Sequence, residues 1–246
     1  MISFVIPAHN EASEISACLE TIHRAAEAIE WPYEVIVVDD ASNDETAAIA
    51  AAYEARVIRV DHRQIAATRN AGAAEAAGDI LVFVDADTQI NAVLIHEMLD
   101  ALDAGATAGG ARIRIDDAPG FPERVLLIVV MAIWRMTGWA AGCFIYSRRS
   151  AFEAVGGFDE RYYASEEIHL SRALKRQGPF KVLKTPVVTS GRKWRLYSRK
   201  EQWRTIGHFI LGGFAAGRRR EGLDLWYDGR RETDEPMIKS DGSGNQ

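Results

Sequence analysis

Four short apolar runs constrain the first third of this chain more than any other feature: Ile2 to Ile6, Val35 to Val38, Val57 to Val60 and Ile80 to Val84. Runs this short, with little or no polar alternation, read as strands buried on both faces. Between them, Ile15, Leu19 and Ile22 recur at helical spacing. Two alanine-rich segments, one reaching about Ala55 and one from Ile65 to Ala77, have helical composition. Strand and helix alternating in this order predict an α/β fold, with a mostly parallel central sheet flanked by helices. Pro7 is expected to stop the first strand. Asn10 or Ser13 is placed to cap the first helix, with Glu11 and Glu14 in its first turn, and Ser42 to Thr46 supplies caps for the second.

Three of the runs end in polar residues: Pro7 to Glu11, Asp39-Asp40, and Asp85-Ala86-Asp87. Open α/β sheets bind ligands beyond the C-terminal ends of their strands. Side chains two apart in an extended segment point the same way. Asp85 and Asp87 would therefore converge and offer hard oxygen ligands to Mg²⁺ or Mn²⁺, which bridges readily to a diphosphate. Such an acid pair on its own also reads as two solvated turn residues. Its weight comes from the polar ends of the neighbouring strands.

Further along, Asn91 to Leu102 fits a helix with Val93, Leu94, Met98 and Leu102 on its apolar side. Ala108 to Ile115 fits a strand, Asp116 to Pro122 a loop, and Phe121 to Met136 an apolar helix. Gly142 to Ser147 reads as a strand, and Ser150 is placed to cap a short helix broken by Gly156-Gly157. Ser165 is placed to cap a helix with Glu166 and Glu167 in its first turn, and Phe180 to Leu183 and Val187-Val188 read as short strands. From Gly191 to Arg220 the chain is basic and aromatic, and from about Asp234 its composition is that of a disordered tail. No linker or repeat divides it. We expect a single domain over 1–220, with a nucleotide-binding half at 1–90, an acceptor half at 91–220 and a helical C-terminal extension at 221–246.

The bulk properties exclude several classes. A net charge of −6 gives no basis for nucleic-acid binding across the surface, and the 2 cysteines, Cys18 and Cys143, lack metal or redox spacing. The N-terminus has no basic segment ahead of its short apolar run, so it does not read as a secretory signal. The longest uninterrupted apolar stretch, Val125 to Trp134, is about half of the roughly 20 residues a membrane-spanning helix needs. A cytoplasmic protein is expected, with peripheral contact at the inner face of the membrane through its apolar and basic segments.

Taken together, Val5-Ile6-Pro7-Ala8-His9-Asn10-Glu11, Val37-Val38-Asp39-Asp40-Ala41-Ser42-Asn43-Asp44-Glu45-Thr46, Ala67-Thr68-Arg69-Asn70-Ala71-Gly72, Phe83-Val84-Asp85-Ala86-Asp87 and Gly156-Gly157-Phe158-Asp159-Glu160 resemble, in order, the motifs of family 2 glycosyltransferases of the GT-A fold. The resemblance covers roughly residues 2 to 190. It implies a Rossmann-like sheet and transfer of a sugar from a nucleotide diphosphate donor to an acceptor hydroxyl on a glycan or lipid-linked molecule, usually with inversion. It also implies a divalent cation, Mn²⁺ or Mg²⁺, and a role in cell-envelope or polysaccharide biosynthesis. Carried over, Pro7, Ala8 and Glu11 line the nucleoside pocket and Asp40 meets the base edge. Arg69 lies near the donor, Asp85 approaches the ribose or a metal-bound water, and Asp87 ligates the metal.

In that family the base lies on an acidic pair opening a late helix. Here Glu167 matches its second member and is preferred, with Glu166 second. A histidine that many relatives place after the next strand is absent from Val188 to Arg192. Ser190-Gly191-Arg192-Lys193 is instead expected to close over the donor phosphates as a lid, with Arg192 as the contact. Two other classes compete. A nucleotidyltransferase would begin with a glycine-rich basic loop after its first strand, and Pro7 to Glu11 is neither. A catalytically silent sugar-nucleotide or lipid-binding homologue is favoured only by the altered acidic pair and the missing histidine.

Overall fold

The computed structural model describes residues 1–116, 140 and 142–192, together with 196, 200, 201, 204, 217, 218, 220 and 223. The expected loop after Asp116, the apolar helix Phe121 to Met136, most of the basic aromatic stretch and the C-terminal tail lie outside the described residues.

The elements run β1 (Ile2–Ala8), α1 (Ile15–Ala28), β2 (Tyr33–Asp40), α2 (Thr46–Ala52), β3 (Arg56–Val60), α3 (Ile65–Glu75), β4 (Ile80–Val84), β5 (Thr88–Gln89), α4 (Ala92–Asp103), β6 (Ala108–Ile115), β7 (Phe144–Arg148), α5 (Arg149–Ala154), α6 (Glu166–Leu174) and β8 (Phe180–Thr189). They form one sheet in the order β3-β2-β1-β4-β7-β6-β8-β5. The β3-β2-β1-β4 half is parallel throughout, and β6 and β8 are also parallel. The sheet is mixed rather than mostly parallel beyond β4. There β7 runs antiparallel to both β4 and β6, and β5 antiparallel to β8. That reversal brings the start of β7 to the C-terminal end of β4, where Asp85 N–H donates to the Cys143 carbonyl at 3.2 Å.

Unbroken apolar runs follow from burial on both faces of the sheet. Phe4 and Ile6 of β1 and Val82 and Val84 of β4 pack with Ile15, Leu19, Ile22, Leu94 and Met98 of α1 and α4. The intervening residues Val5, Leu81 and Phe83 pack on the other face with Ala66, Ala73, Phe152, Leu170 and Leu174 of α3, α5 and α6. The alanine richness of α3 has a steric reason. It rides so close to the sheet that a Cβ on Gly72 would lie 2.4 Å from Val5 Cγ1 and 2.7 Å from Val38 Cγ2.

Several local expectations are corrected. β1 continues through Pro7 to Ala8, because β4 pairs only with Ile2 to Val5 and the ladder on that side has ended before the proline. Neither Asn10 nor Ser13 caps α1, which begins at Ile15 after Glu14 with no side-chain cap, so Glu11 and Glu14 precede the helix. Ser42 to Thr46 likewise does not cap α2 through Glu45. These polar residues stitch two strand-end loops together. Asn10 N–H donates to Ser42 Oγ, Glu11 N–H to Thr46 Oγ1, Ala12 N–H to Asp44 Oδ2, and Asn43 N–H to Asn10 Oδ1.

The helix expected from Asn91 is present as α4, with Asn91 as its N-cap through Leu94 N–H, but Val93 is exposed. Ser150 lies inside α5. The two short strands near 180–188 are one strand, β8, whose pairing with β6 shifts register at Ala111/Arg112. The amides freed nearby, Lys184 and Thr185 N–H, donate to Glu97. Among the described residues no helix is long and apolar enough to cross a membrane.

Candidate active site

The C-terminal end of β4, the residues just ahead of β7 and the start of α6 meet around one side chain, Arg69 of α3. Its guanidinium is buried and donates from Nη1 to Glu166 Oε1 at 2.8 Å. From Nη2 it donates to Asp85 Oδ1 at 2.7 Å and to the Gly142 carbonyl at 3.0 Å. The Phe158 ring lies under it at 5.2 Å, in reach of a cation–π contact. Burial opposes the arginine's charge, but Asp85 and Glu166 beside it outweigh burial and raise its pKa further. The neighbouring Asn70 explains why the Arg-Asn and Gly-Gly-Phe-Asp-Glu motifs occur together. Its side-chain amide donates to the Phe158 carbonyl and accepts from Phe158 N–H, both at 2.9 Å. Gly156 and Gly157 have φ of +78° and +77°, which suits glycine, and the turn they make presents Phe158 to both residues.

The acidic pair separates by environment. Glu166 is buried against Arg69, and its carboxyl is pushed up by burial with the arginine pulling the other way. Glu167 is half-buried, and among the described residues no cation pairs with it. Loss of solvent around its carboxyl, and then the charge of Glu166, push it up to about 8. Arg69 and Glu167 both lie against Gly142: a Cβ there would sit 3.6 Å from Arg69 Nη2 and 3.7 Å from Glu167 Cδ. Ser165, expected to cap the helix, makes no side-chain cap bond and instead adopts a left-handed φ of 66°.

Asp85 and Asp87 do not point the same way off one extended strand. The chain turns at Ala86-Asp87, closed by Thr88 N–H to the Asp85 carbonyl at 2.9 Å. Asp85 faces Arg69, and Asp87 faces β8, where Thr189 Oγ1 donates to its Oδ1 at 3.3 Å. Among the described residues there is no group of three or more His, Cys, Asp or Glu side chains fit to hold a metal. The donor set fits a different mode. A half-buried Asp87 carboxylate with Asp85 nearby suits a hard cation that keeps waters and takes substrate phosphate oxygens.

The remaining predicted residues are placed as follows. Glu11 accepts from Arg192 Nη2 at 2.6 Å, and Arg192 also reaches Ser13 Oγ at 3.4 Å and lies 3.8 Å from Glu14. Arg192 is buried, and its pKa is raised because Glu11 and nearby Asp87 outweigh its desolvation. It is thus latched onto the β1–α1 loop, and Lys193 lies outside the described residues. Pro7 is half-buried at this edge, but the Ala8 methyl is buried in the core, which leaves that position only its backbone to face a ligand.

Asp40, expected at a base edge, takes its side-chain hydrogen bonds from within the protein. Its Oδ1 accepts from His62 and Arg63 N–H, and its Oδ2 from Gln64 N–H and Thr68 Oγ1, at 2.7 to 3.2 Å. Four donors fill the lone-pair sites of one carboxylate, so Asp40 anchors the start of α3, and with it Arg69. Gly142, Asn70, Phe158 and Thr189 belong to the site and were not singled out from sequence. Only Asn70 and Phe158 carried a signal, as members of their motifs.

Comparison with known proteins agrees with this geometry. The chain is 31% identical over 173 residues to an undecaprenyl-phosphate 4-deoxy-4-formamido-L-arabinose transferase of Serratia proteamaculans, a match covering 65% of this chain and 52% of that protein. The chain therefore spans about half the length of the curated relatives it matches first. Among solved structures, the mannosyltransferase PcManGT of Pyrobaculum calidifontis in complex with GDP-Man and Mn²⁺ superposes with a TM-score of 0.64 at 21% identity, over 92% of this chain and 67% of that one. TarS 1–349 of S. aureus in complex with UDP-GlcNAc gives 0.63 at 19% identity, over 85% of this chain and 65% of that one. These likenesses establish the fold as that of GT-A enzymes. The model of glycosyl transferase family 2 matches residues 3–225, almost all of the sheet and the Arg69-centred site, and the chain belongs to that family.

Proposed function

We propose that this protein transfers a sugar from a nucleoside diphosphate donor to an acceptor hydroxyl, with inversion, and that Glu167 is the general base. The observation that carries this reading is the Arg69 guanidinium joining Asp85 on the donor side to Glu166 on the acceptor side. One cation thereby sets the spacing of two half-sites and leaves Glu167 as the acid of the pair without an ion-pair partner among the described residues. A carboxyl whose pKa is raised toward neutrality is a stronger base than an ordinary carboxylate, yet is still ionised in useful amounts.

In the proposed step the acceptor O–H gives its proton to Glu167 and its oxygen bonds the anomeric carbon. The bond from that carbon to the diphosphate oxygen breaks, and the nucleoside diphosphate leaves with the electron pair. Asp87, with Asp85, would hold a divalent cation, which supplies Lewis-acid stabilisation of the leaving diphosphate. The relatives crystallised with Mn²⁺ and GDP-Man or with UDP-GlcNAc support a donor of this class. Pro7, the Ala8 backbone and Glu11 form the nucleoside side, and Arg192 exchanges Glu11 for donor phosphate.

Relatives named for undecaprenyl phosphate suggest an acceptor at a membrane, reached peripherally. A phosphate monoester acceptor is largely ionised at neutral pH and needs no base, so the Glu167 environment favours a hydroxyl. We read residues 1–220 as one catalytic domain, with the donor in its first 90 residues.

The test is a thermal-shift panel of UDP-glucose, UDP-GlcNAc and GDP-mannose with Mn²⁺, followed by turnover of whichever donor stabilises the protein. Release of nucleoside diphosphate that is lost in Glu167→Gln, with donor binding kept, supports the reading. Full turnover in Glu167→Gln would move the base elsewhere.

A further inference from the structure

The segment around residues 217–223 lies far along the chain from every residue of the site, yet it touches the loop that presents the acidic pair. The Gly217 carbonyl accepts from Tyr163 N–H at 2.6 Å and from Ala164 N–H at 3.3 Å. The approach is tight enough that a Cβ on Gly217 would lie 2.2 Å from the Ala164 carbonyl oxygen. Next to it, Arg218 Nη2 donates to the Tyr162 hydroxyl at 3.0 Å, with the guanidinium 5.1 Å from the centre of the Tyr162 ring. The Tyr162 ring also stacks on His169, in the first turn of α6, at 3.8 Å and an interplanar angle of 23°. Leu223 is fully buried, and its N–H donates to the Arg220 carbonyl at 3.2 Å.

Ser165 holds a left-handed φ of 66° immediately ahead of Glu166, which reaches Arg69, and Glu167, which faces Gly142. For a residue with a Cβ this conformation is strained and persists only where its surroundings enforce it. On one side of Ser165 stands the Arg69–Glu166 ion pair. On the other, residues 217 and 218 bond Tyr162, Tyr163 and Ala164, while Gln64 Nε2 donates to the Tyr162 carbonyl at 3.5 Å and Tyr162 N–H to the Asp159 carbonyl at 3.1 Å.

We propose that Gly217 and Arg218 form a clasp that positions the catalytic turn, so that catalysis by the Glu166–Glu167 pair depends on a C-terminal segment that touches no substrate. Arg218 and Tyr162 are positioning residues. Arg218 holds the Tyr162 ring, the ring packs on α6, and the Gly217 carbonyl fixes the two amides ahead of Ser165. This inference rests on reading Glu167 as the base.

The full-length protein carrying Arg218→Ala, Arg218→Lys or Tyr162→Phe tests it by two measurements. The first is amide hydrogen exchange of the peptide spanning 162–168, referenced to the β4 peptide 80–84. The clasp predicts faster exchange of the loop in Arg218→Ala with β4 unchanged, and partial protection in Arg218→Lys, which keeps a cation over the ring. The second is donor turnover by water, using UDP-glucose, UDP-GlcNAc or GDP-mannose with Mn²⁺. Arg218→Ala should lose about tenfold or more in kcat, in line with the cost of small misplacements. Its donor KM should stay within about twofold, and Arg218→Lys should recover part of kcat.

Unchanged exchange at 162–168 in Arg218→Ala overturns the clasp. So does faster exchange with kcat unaltered, which makes the contact structural only, and so does an equal loss in 162–168 and β4. If Glu167→Gln keeps full turnover while Arg218→Ala does not, the base assignment has failed and the clasp acts on another residue of the same turn.

Discussion

Arg69 and Glu166 stand 97 positions apart in the chain and meet as a buried ion pair at 2.8 Å, with Asp85 on the second nitrogen of the same guanidinium. Removing one partner of such a group leaves uncompensated charge in the interior, which costs about 3–5 kcal/mol. Arg69→Met should lower stability by that amount in urea unfolding and abolish turnover. Arg69→Lys should keep part of the stability but not the activity, because a single ammonium lacks the planar fork that spans Asp85 and Glu166 together.

Glu167 provides a pH prediction. Its folded pKa of about 8 lies above the ordinary carboxyl value of 4.5. Base catalysis needs the ionised form, so kcat/KM measured on the free enzyme should climb with pH and level off above about 8, rather than above 5. For stability, a raised folded pKa means that protonated Glu167 is tolerated at low pH. Its contribution is lost as pH rises from 4.5 through 8. Glu167→Gln, which never ionises, should therefore melt higher than the wild type at pH 9 and match it near pH 4.

Asp87→Asn should remove the dependence of turnover on added Mn²⁺ together with most of the turnover, by about a hundredfold on the scale of losing transition-state charge stabilisation. Titration of Mn²⁺ against nucleoside diphosphate release measures both. An unchanged Mn²⁺ titration would exclude Asp87 as the ligand.

Arg192 is held by Glu11, and Asp87 is near enough for its charge to act on it. Arg192→Ala should weaken donor binding about tenfold, which corresponds to about 1.4 kcal/mol, as read from the donor concentration that half-saturates the thermal shift. Donor affinity equal to the wild type would leave Arg192 as a latch for the β1–α1 loop only.

Asp40 accepts four hydrogen bonds within the protein. Asp40→Ala should cost about 3 kcal/mol in unfolding, since bonds to charged groups are the strong ones and buried N–H groups would be left unmade. The ranking of uridine against guanosine donors should not change. A switch in that ranking would return Asp40 to the base edge.

The strand and helix order of residues 2–84 and the helix after it, the two-faced burial of β1 and β4 and the family motifs were legible in the sequence, because each is encoded within a few neighbouring residues as composition or period, whereas the two-residue β5 was not. The acids at the ends of β2 and β4 and at the start of α6 were found the same way. Their roles were not. Nothing local shows that the 62–64 amides bond Asp40, and Asp85 and Asp87 read as a matched pair until the turn at Ala86 aims one at Arg69 and the other at Thr189. The antiparallel β7 that delivers the Gly142 carbonyl to the site, and the Gly217 carbonyl on the catalytic turn, have no local signature at all. A carboxylate's chemistry depends on which donors and charges lie within a few ångströms of it. In this chain those come from residues up to about a hundred positions away, so the sequence by itself determined which groups line the sheet edge, and tertiary packing decided which of them remain available to act.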